Sequence, residues 1–196
     1  MQKDFQIYRE VIMQLNPKIT AEEWNYFQRG FTLHNLKPKE FFIEAGKRNH
    51  QLGFVTSGLL RGYYINSLGD DITTAFVSER QWATDYPSLL TGKASRYNFQ
   101  CLEPTTIITL PYQHISKGYD MFVGFERNGR LIAEEVLKQQ QRRIEGFQFD
   151  SAEQRYLDFV KEYPDLFNRI SLTHLASYLG IERPSLSRIR KKIVGL

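Results

Sequence analysis

Cysteine is almost absent from this sequence of 196 residues, since Cys101 is the only one. A disulfide within one chain is therefore excluded, as is an iron–sulfur cluster or zinc site held by several cysteines of one chain. Long apolar runs are missing too, because no stretch approaches the ~20 residues that a membrane span needs. The opening MQKDFQIYREVIMQL carries acids and lacks the apolar centre of a signal peptide. We therefore expect a soluble, cytoplasmic protein.

Signatures of enzyme chemistry are also scarce. The chain has no Gly-x-Ser-x-Gly elbow and no glycine-rich phosphate loop. Its four histidines, His34, His50, His114 and His174, do not have the spacing of metal ligands. A metal-dependent cupin, which needs converging histidines in a β-roll, stays open as an alternative through His34 and His50 with Glu44. The residues favour a protein that is not an enzyme and that uses no metal or cofactor.

The chain has enough apolar residues for a packed core and a mildly basic charge. Hydrophobic residues make up 41% of the sequence, aromatic residues 14%, and the formal net charge is +4. The length allows one large domain or two small ones, at roughly 100–200 residues each. The charge fits a nucleic-acid partner without establishing one.

The order of local patterns predicts helices, then strands, then helices. Residues 4–30 predict two helices, because Asn16-Pro17 interrupts the apolar spacing and Thr20 with Glu23 has capping-box spacing. Short apolar runs from Leu33 onward alternate with turn residues, which is typical of an antiparallel sandwich or jelly roll. The strands expected there are 40–44, 52–56, 59–65, 72–77, 97–102 and 105–110, with a short helix over 85–90 that ends near Gly92.

A long helix is expected next, over about residues 119–149, since Phe122 to Phe149 contains no proline. A heptad reading gives a partial coiled-coil seam, with these residues at its two positions: Val123, Arg130, Leu137 and Ile144; Ala133, Gln140 and Phe147. The pattern favours pairing with a second copy in a homodimer. The alternative is that the helix packs on its own sheet. We place a domain boundary after this helix, giving domains of residues 1–149 and 150–196.

The most informative stretch is ISLTHLASYLGIERPSLSRIRKKI, residues 170–193. Ser171 is a suitable N-cap, and Gly180 stands where a helix needs a left-handed residue to end. Pro184 suits the first turn of a second helix. The apolar residues of both helices recur at helical spacing. These features predict a helix-turn-helix, in which two helices cross and the second is offered to a DNA groove.

The outer side of this second helix is polar and of one charge. It carries Arg183, Ser187, Arg188, Arg190, Lys191 and Lys192, with no acid after Glu182. Arginine can form a bidentate pair with guanine, while lysine and serine suit phosphates. The pattern favours DNA binding over two alternatives, which are a solvated basic face and a docking surface for another protein.

Four features together resemble the Crp/Fnr superfamily of bacterial transcription regulators. They are the stretch LKPKEFFIEAGKRNHQLGFVTSGLLRGYYINSLGDDITTAFV (36–77), AEEVLKQQQRRIEGF (133–147) in the long helix, the stretch 151–193, and the lack of iron–sulfur cysteines. The chain is similar to the short Bacteroidetes-type members with a cyclic-nucleotide-binding-like domain. The resemblance implies an α+β fold: N-terminal helices, an antiparallel β-roll (jelly roll), a long dimerisation helix and a C-terminal helix-turn-helix.

The resemblance also implies which residues meet DNA. Arg183, Ser185, Ser187 and Arg188 match the contacting positions of the recognition helix, and Arg188 matches the base-reading arginine; Arg190 and Lys191 are added as cations of the same helix. Pro184 stands where relatives often carry a base-reading acid. Only Val194, Gly195 and Leu196 follow this helix, so the β-hairpin wing of longer relatives is not expected.

The phosphate-binding cassette of the resembled family is altered in this sequence. Asp85-Tyr86 replaces the usual Gly-Glu, and Ser95-Arg96 reverses the usual Arg-Ser. Because strand side chains alternate between faces, this shift turns Arg96 to the other side. We therefore do not expect tight binding of cyclic AMP. Candidate residues for another small-molecule effector are Trp82, Asp85, Tyr86, Ser95, Arg96 and Tyr97.

The sequence as a whole predicts a homodimeric, sequence-specific DNA-binding transcription regulator of the Crp/Fnr type, with a small-molecule effector in its β-roll as the expected switch. A ligand-binding sensory module that acts through protein contacts is the main alternative. The cupin enzyme is the other.

Overall fold

The computed structural model describes residues 2–194. Gly195 and Leu196, at the end where no β-hairpin wing is expected, lie outside the described residues. The helices are α1 Gln2–Leu15, α2 Ala21–Arg29, α3 Tyr86–Thr91, α4 Tyr112–Met121, α5 Val123–Phe149, α6 Ala152–Glu162, α7 Leu172–Leu179 and α8 Arg183–Val194, with a 3₁₀ turn at Pro164–Leu166. The strands are β1 Thr32–Leu36, β2 Phe41–Ile43, β3 Gln51–Ser57, β4 Leu60–Ile65, β5 Asp71–Val77, β6 Trp82–Ala83, β7 Asn98–Cys101 and β8 Thr105–Pro111. Mixed α+β architecture, as predicted, is confirmed.

Two four-stranded sheets form the roll. One has the strand order β1-β8-β3-β6 and the other β2-β7-β4-β5. The pairs β1–β8, β3–β8 and β4–β7 are antiparallel. The predicted strands are present, but β1 and β6 were not among them. β1 is short and polar, TLHNL, and β6 has only two residues, so neither shows the apolar alternation that marks a strand.

Helices α1 and α2 form where the sequence predicts them. Thr20 caps α2 through a reciprocal pair: its hydroxyl accepts from Glu23 N (3.2 Å), and its N–H donates to Glu23 Oε2 (2.7 Å). The other carboxylate oxygen of Glu23 accepts from Gly124 N at 2.9 Å. A Cβ at position 124 would lie 2.2 Å from that oxygen, so the contact requires glycine. Glu23 thereby holds α2 against the start of α5.

The predicted long helix is interrupted. Phe122 has extended backbone angles (φ −139°, ψ 118°) and ends α4, so α5 begins at Val123 rather than near residue 119. No proline marks this break. The ring of Phe122 instead packs against Tyr26 of α2, with centroids 5.4 Å apart.

The chain divides into two compact units: residues 2–64 with 75–134, and residues 65–74 with 135–194. The division falls within α5, whereas the predicted domain boundary lies after it, at residues 149 and 150. The reason is that the second half of α5 packs with the C-terminal helices and with the β4–β5 turn. In the described part of the chain, no helix combines the length and apolar character needed to cross a bilayer.

The core of the first unit has two parts. Aromatic residues of α1 and α2 pack on β3 and β8; Tyr8, for example, stacks on Phe54 with ring centroids 4.3 Å apart. A second cluster lies between the sheets and contains Val55, Leu60, Phe99 and Cys101. Cys101 therefore lies in a strand as a buried apolar residue, as predicted.

Candidate nucleic-acid interface and effector region

The helix-turn-helix is built by the caps that the sequence predicts. The Ser171 hydroxyl accepts from His174 N at 3.1 Å and starts α7. Gly180 ends α7 with φ +62°, and Ile181 N donates back to Ala176 O at 3.0 Å. Ile181 is buried between the helices, and Leu186 of α8 is fully buried. These contacts fix the position of α8 relative to α7.

The outer face of α8 is exposed and cationic. Arg183, Arg188 and Lys191 are exposed, and Ser185 and Ser187 are half-buried. The Arg188 guanidinium bonds along its own helix, to Ser185 Oγ at 3.2 Å. Helical spacing puts Ser187, Arg188 and Lys191 opposite the stripe that contains Leu186. Ser187, Arg188 and Lys191 therefore lie together on one accessible surface.

Arg190 has a different environment. Its guanidinium lies over the ring of Phe167, 4.6 Å from the centroid, and the side chain is half-buried. Lys192 is also engaged, through an ion pair of 2.8 Å with Glu153 of α6. Both cations pack α8 against its own unit, so the structure does not group them with the outer set.

A connection between α7 and the β4–β5 turn was not predicted. The Ser177 hydroxyl accepts from Thr73 N (2.9 Å) and donates to Asp71 O (3.2 Å). Arg143 of α5 donates to Thr73 O at 3.1 Å and lies 4.2 Å from the Tyr178 ring centroid. A single serine and an arginine in a charged helix give no signal for such a contact in the sequence. The turn, α5 and α7 are thereby held together.

The predicted seam of α5 is exposed. Val123, Leu137 and Ile144, which share one heptad position, are exposed to 84%, 66% and 50%, and Phe147 at the other position to 44%. The buried residues of α5 are Phe125, Asn128 and Ile132, which lie on a different stripe. The first half of α5 therefore packs within the first unit through this stripe, while the heptad face is uncovered.

Two candidate effector residues serve the local structure instead. Asp85 is buried and caps α3, where its carboxylate accepts from Ser88 N at 3.4 Å. Ser95 is buried as well, and its hydroxyl donates to Tyr97 O at 2.9 Å. Arg96 is exposed at a bend before β7 rather than within a strand, so the expected alternation of strand faces does not apply to it. Asp85 and Ser95 are thus engaged in local hydrogen bonds, whereas Arg96 is accessible to solvent.

The three candidate aromatic residues have different neighbours. Trp82 packs on Phe54 at the edge of the core, with centroids 5.6 Å apart. Tyr97 meets Tyr64 edge-on at 6.2 Å. Tyr86 alone of the six candidates lines a cavity of about 350 Å³ beside α3, where burial raises the pKa of its phenol.

The histidines do not form a metal centre. His34 Nε2 lies 3.1 Å from Thr109 Oγ1, and His114 Nε2 lies 2.9 Å from Tyr26 O. Within residues 2–194, no three His, Cys, Asp or Glu side chains come together as ligands of an ion would. The histidine cluster that a cupin reaction requires is thus not assembled by the part of the chain that the structure describes.

Comparison with known proteins agrees with this architecture. Residues 33–121, from β1 to the end of α4, match the family model of the cyclic nucleotide-binding domain. The chain is similar to FixK2 from Bradyrhizobium japonicum (16% identity, 84% of this chain and 85% of FixK2 covered, TM-score 0.74). It is also similar to a protein from Eubacterium rectale assigned to the Crp/Fnr family (14% identity, 92% and 86% covered, TM-score 0.71). The chain has the Crp/Fnr fold.

A third structure of the Crp/Fnr fold extends the comparison. CLP from Xanthomonas campestris, a regulator described as responsive to c-di-GMP, is 12% identical, with 90% of this chain and 92% of CLP covered and a TM-score of 0.70. No curated protein matches the chain by sequence comparison. The predicted resemblance is thus confirmed at the level of the fold.

Within the Crp/Fnr fold, this chain uses its altered cassette for internal bonds. The N–H of Ser88 donates to the Asp85 carboxylate that caps α3. The Ser88 hydroxyl accepts from Asn49 N (3.0 Å) and donates to Lys93 O (2.6 Å). Ser88 thereby ties α3 to Asn49, just before β3, and to Lys93, just after the helix. The carboxylate of Asp85 is therefore already committed to the start of α3.

Proposed function

We propose that this chain is a cytoplasmic, homodimeric transcription regulator that binds DNA in a sequence-specific way. The proposal is carried by the outer face of α8, where Arg183, Arg188 and Lys191 are exposed on a helix without acidic residues. A helix fits the major groove of DNA, and cations on its outer side attract phosphates. The fold is consistent with this role.

Pairing of two copies would supply the second recognition helix. The uncovered heptad face of α5 supports this, because exposed Leu137 and Ile144 would be buried in a coiled coil. A two-fold dimer reads a palindrome whose half-sites are about one helical turn apart. We further propose that a small-molecule effector in the first unit selects one arrangement of the paired helices.

The direct test is selection of DNA from a library of random duplexes. Recovery of a palindromic site, with binding that weakens steeply as salt rises, is the expected result. Failure to bind any duplex at low salt would contradict the proposal and favour a sensory module whose basic helix docks on another protein.

Substitutions on α8 separate base reading from phosphate contact. Arg188→Ala is expected to lower affinity for the selected site and to relax discrimination at one base pair, by about 1–3 kcal/mol. Lys191→Ala should weaken binding to selected and random duplexes alike and reduce the salt slope by about one. Lys93→Ala, which removes an exposed charge near α3, is the matched control. Equal loss on both duplexes for Arg188→Ala would reject its base-reading role.

The dimer is tested by sedimentation. Leu137→Asp puts a charge into the proposed seam and is expected to shift the population to monomer. Leu68→Asp changes an exposed leucine in the β4–β5 turn (84% exposed) and should leave the mass unchanged. A wild-type protein that sediments as a monomer at micromolar concentration would contradict the pairing.

A further inference from the structure

The first unit contains a cavity of about 350 Å³ beside α3, α4 and α5, at the small end of the size range of ligand pockets. Its wall is mainly apolar, with residues such as Leu52, Leu89, Leu110, Ile115 and Phe125. Most of the expected effector residues do not line it. Of the altered cassette, helix α3 reaches this wall, through Tyr86, Leu89 and Leu90.

One polar side chain in this wall is out of keeping with the others. Asn128 is on the inner stripe of α5 between Phe125 and Ile132, and it is 1% exposed. Neither its Oδ1 nor its Nδ2 has a hydrogen-bond partner among the residues that the structure describes. A buried amide left unpaired loses its hydration without any compensating hydrogen bond, so its place in the cavity wall needs an explanation.

Another asparagine shows what a satisfied buried amide looks like in the same unit. Asn16 is also 1% exposed. Its Nδ2 donates to Gly124 O and its Oδ1 accepts from Lys18 N, both at 3.3 Å. Burial alone therefore does not leave an asparagine unpaired in this protein. The contrast singles out Asn128 as a group directed at a cavity.

The chemistry of the wall restricts what would pair with Asn128. A side-chain amide presents an acceptor next to a donor, and its complement is a lactam or carboxamide edge. Arg130 is the one cation among the described lining residues, and its guanidinium pairs with Glu134. Glu126 adds an acid to the wall. The wall is thus unsuited to a phosphate or another anion.

A neighbouring phenol adds a neutral polar group. Tyr119 lies so close to α5 that a Cβ at Gly129 would be 2.0 Å from its hydroxyl oxygen. Burial raises the pKa of Tyr119 to about 12, so the phenol is protonated at physiological pH. The polar groups beside Asn128 therefore favour an uncharged ligand.

We propose that this cavity binds a small, uncharged, mainly apolar molecule whose lactam or carboxamide edge pairs with the side-chain amide of Asn128. Binding itself is independent of DNA recognition. Only a regulatory consequence, through α5, rests on the proposed function. The ligand class differs from a cyclic nucleotide, because it carries no phosphate.

The test uses the full chain without DNA, and quinolin-2(1H)-one as the probe. Isothermal titration should give saturable binding, and the N-methyl derivative, which lacks the donor, should bind about tenfold more weakly. In Asn128→Leu this preference should disappear. Failure of the lactam to bind, equal affinity for the two probes, or an unchanged preference in Asn128→Leu would overturn the proposal.

Thermal unfolding of the ligand-free variants provides an independent check. Asn128→Leu removes unpaired groups and should leave the midpoint unchanged or raise it. Asn16→Leu, the matched control, breaks two hydrogen bonds and should lower the midpoint. Equal losses for both variants would mean that Asn128 is satisfied within the protein, and the proposal would fall. Because DNA enters neither experiment, these outcomes are distinct from failure of the regulator function.

Discussion

Replacing Gly180 by alanine tests the geometry of the turn between α7 and α8. Gly180 ends α7 with φ +62°, a conformation in which an alanine is strained by about 1–2 kcal/mol. An added Cβ would also lie 2.7 Å from Cε1 of Phe147. The substitution therefore combines a backbone cost with a steric contact, and the structure allows the two to be separated.

The steric part is expected to be modest. Overpacking costs about 1–3 kcal/mol in a tight core, but Phe147 is 44% exposed and its ring can shift. The guanidinium groups of Arg143 and Arg155 lie 4.9 and 5.2 Å from that ring and limit the shift. We expect Gly180→Ala to lower the free energy of unfolding of the second unit by about 2–3 kcal/mol in total.

Denaturant unfolding followed by circular dichroism measures this loss. Gly92→Ala is the matched control, because Gly92 also ends a helix in the left-handed region (φ +67°) but has open space around the added Cβ. It should cost only the backbone part, about 1–2 kcal/mol. In a Phe147→Ala background, Gly180→Ala should cost no more than Gly92→Ala.

Two results would refute the reasoning. A loss below about 0.5 kcal/mol for Gly180→Ala would mean that the turn does not hold a left-handed residue. An undiminished loss in the Phe147→Ala background would mean that the contact with Phe147 is not the source of the extra cost.

Three further predictions concern single side chains. Asp85→Ala should destabilise the first unit by about 1 kcal/mol through loss of the α3 cap, and Asp85→Asn by much less; equal effects in thermal unfolding would contradict the cap. Burial raises the pKa of the Cys101 thiol above its ordinary value of 9.0. The stabilisation from burying the neutral thiol is therefore present below pH 9.0 and is lost as the pH rises further. Thiol labelling of native protein should stay slow at pH 8, and rapid labelling there would refute the burial. Glu153→Gln breaks an exposed ion pair with Lys192 and should cost less than about 1 kcal/mol, an effect that salt titration of the unfolding midpoint should remove.

Local structure was largely predictable because its causes lie within a few residues. Residues close together in the sequence determine the capping pair of Thr20 and Glu23, the Ser171 cap and the helix end at Gly180. The structure contains all three. The strands with apolar alternation were predictable for the same reason. β1 and β6 were not, because their pairing partners on β8 and β3 define them rather than their own pattern.

The candidate site also contains residues whose position could be predicted from the sequence and residues whose position could not. The exposure of Arg188 and Lys191 follows from helical periodicity, so the sequence indicates it. The position of Arg190 does not, because Phe167 comes from another segment and attracts the guanidinium. The same holds for Asp85, whose role as a helix cap depends on whether α3 starts there.

The sequence alone determined the order of the elements, most of their ends and the basic face of α8, because caps, turns and periodicity act between neighbours in the chain. The tertiary structure decided which polar groups are already satisfied. Asp85 and Arg190 found partners within the protein, while Asn128 was left facing a cavity. Pairing of this kind depends on segments that are distant in sequence, and no local pattern records it.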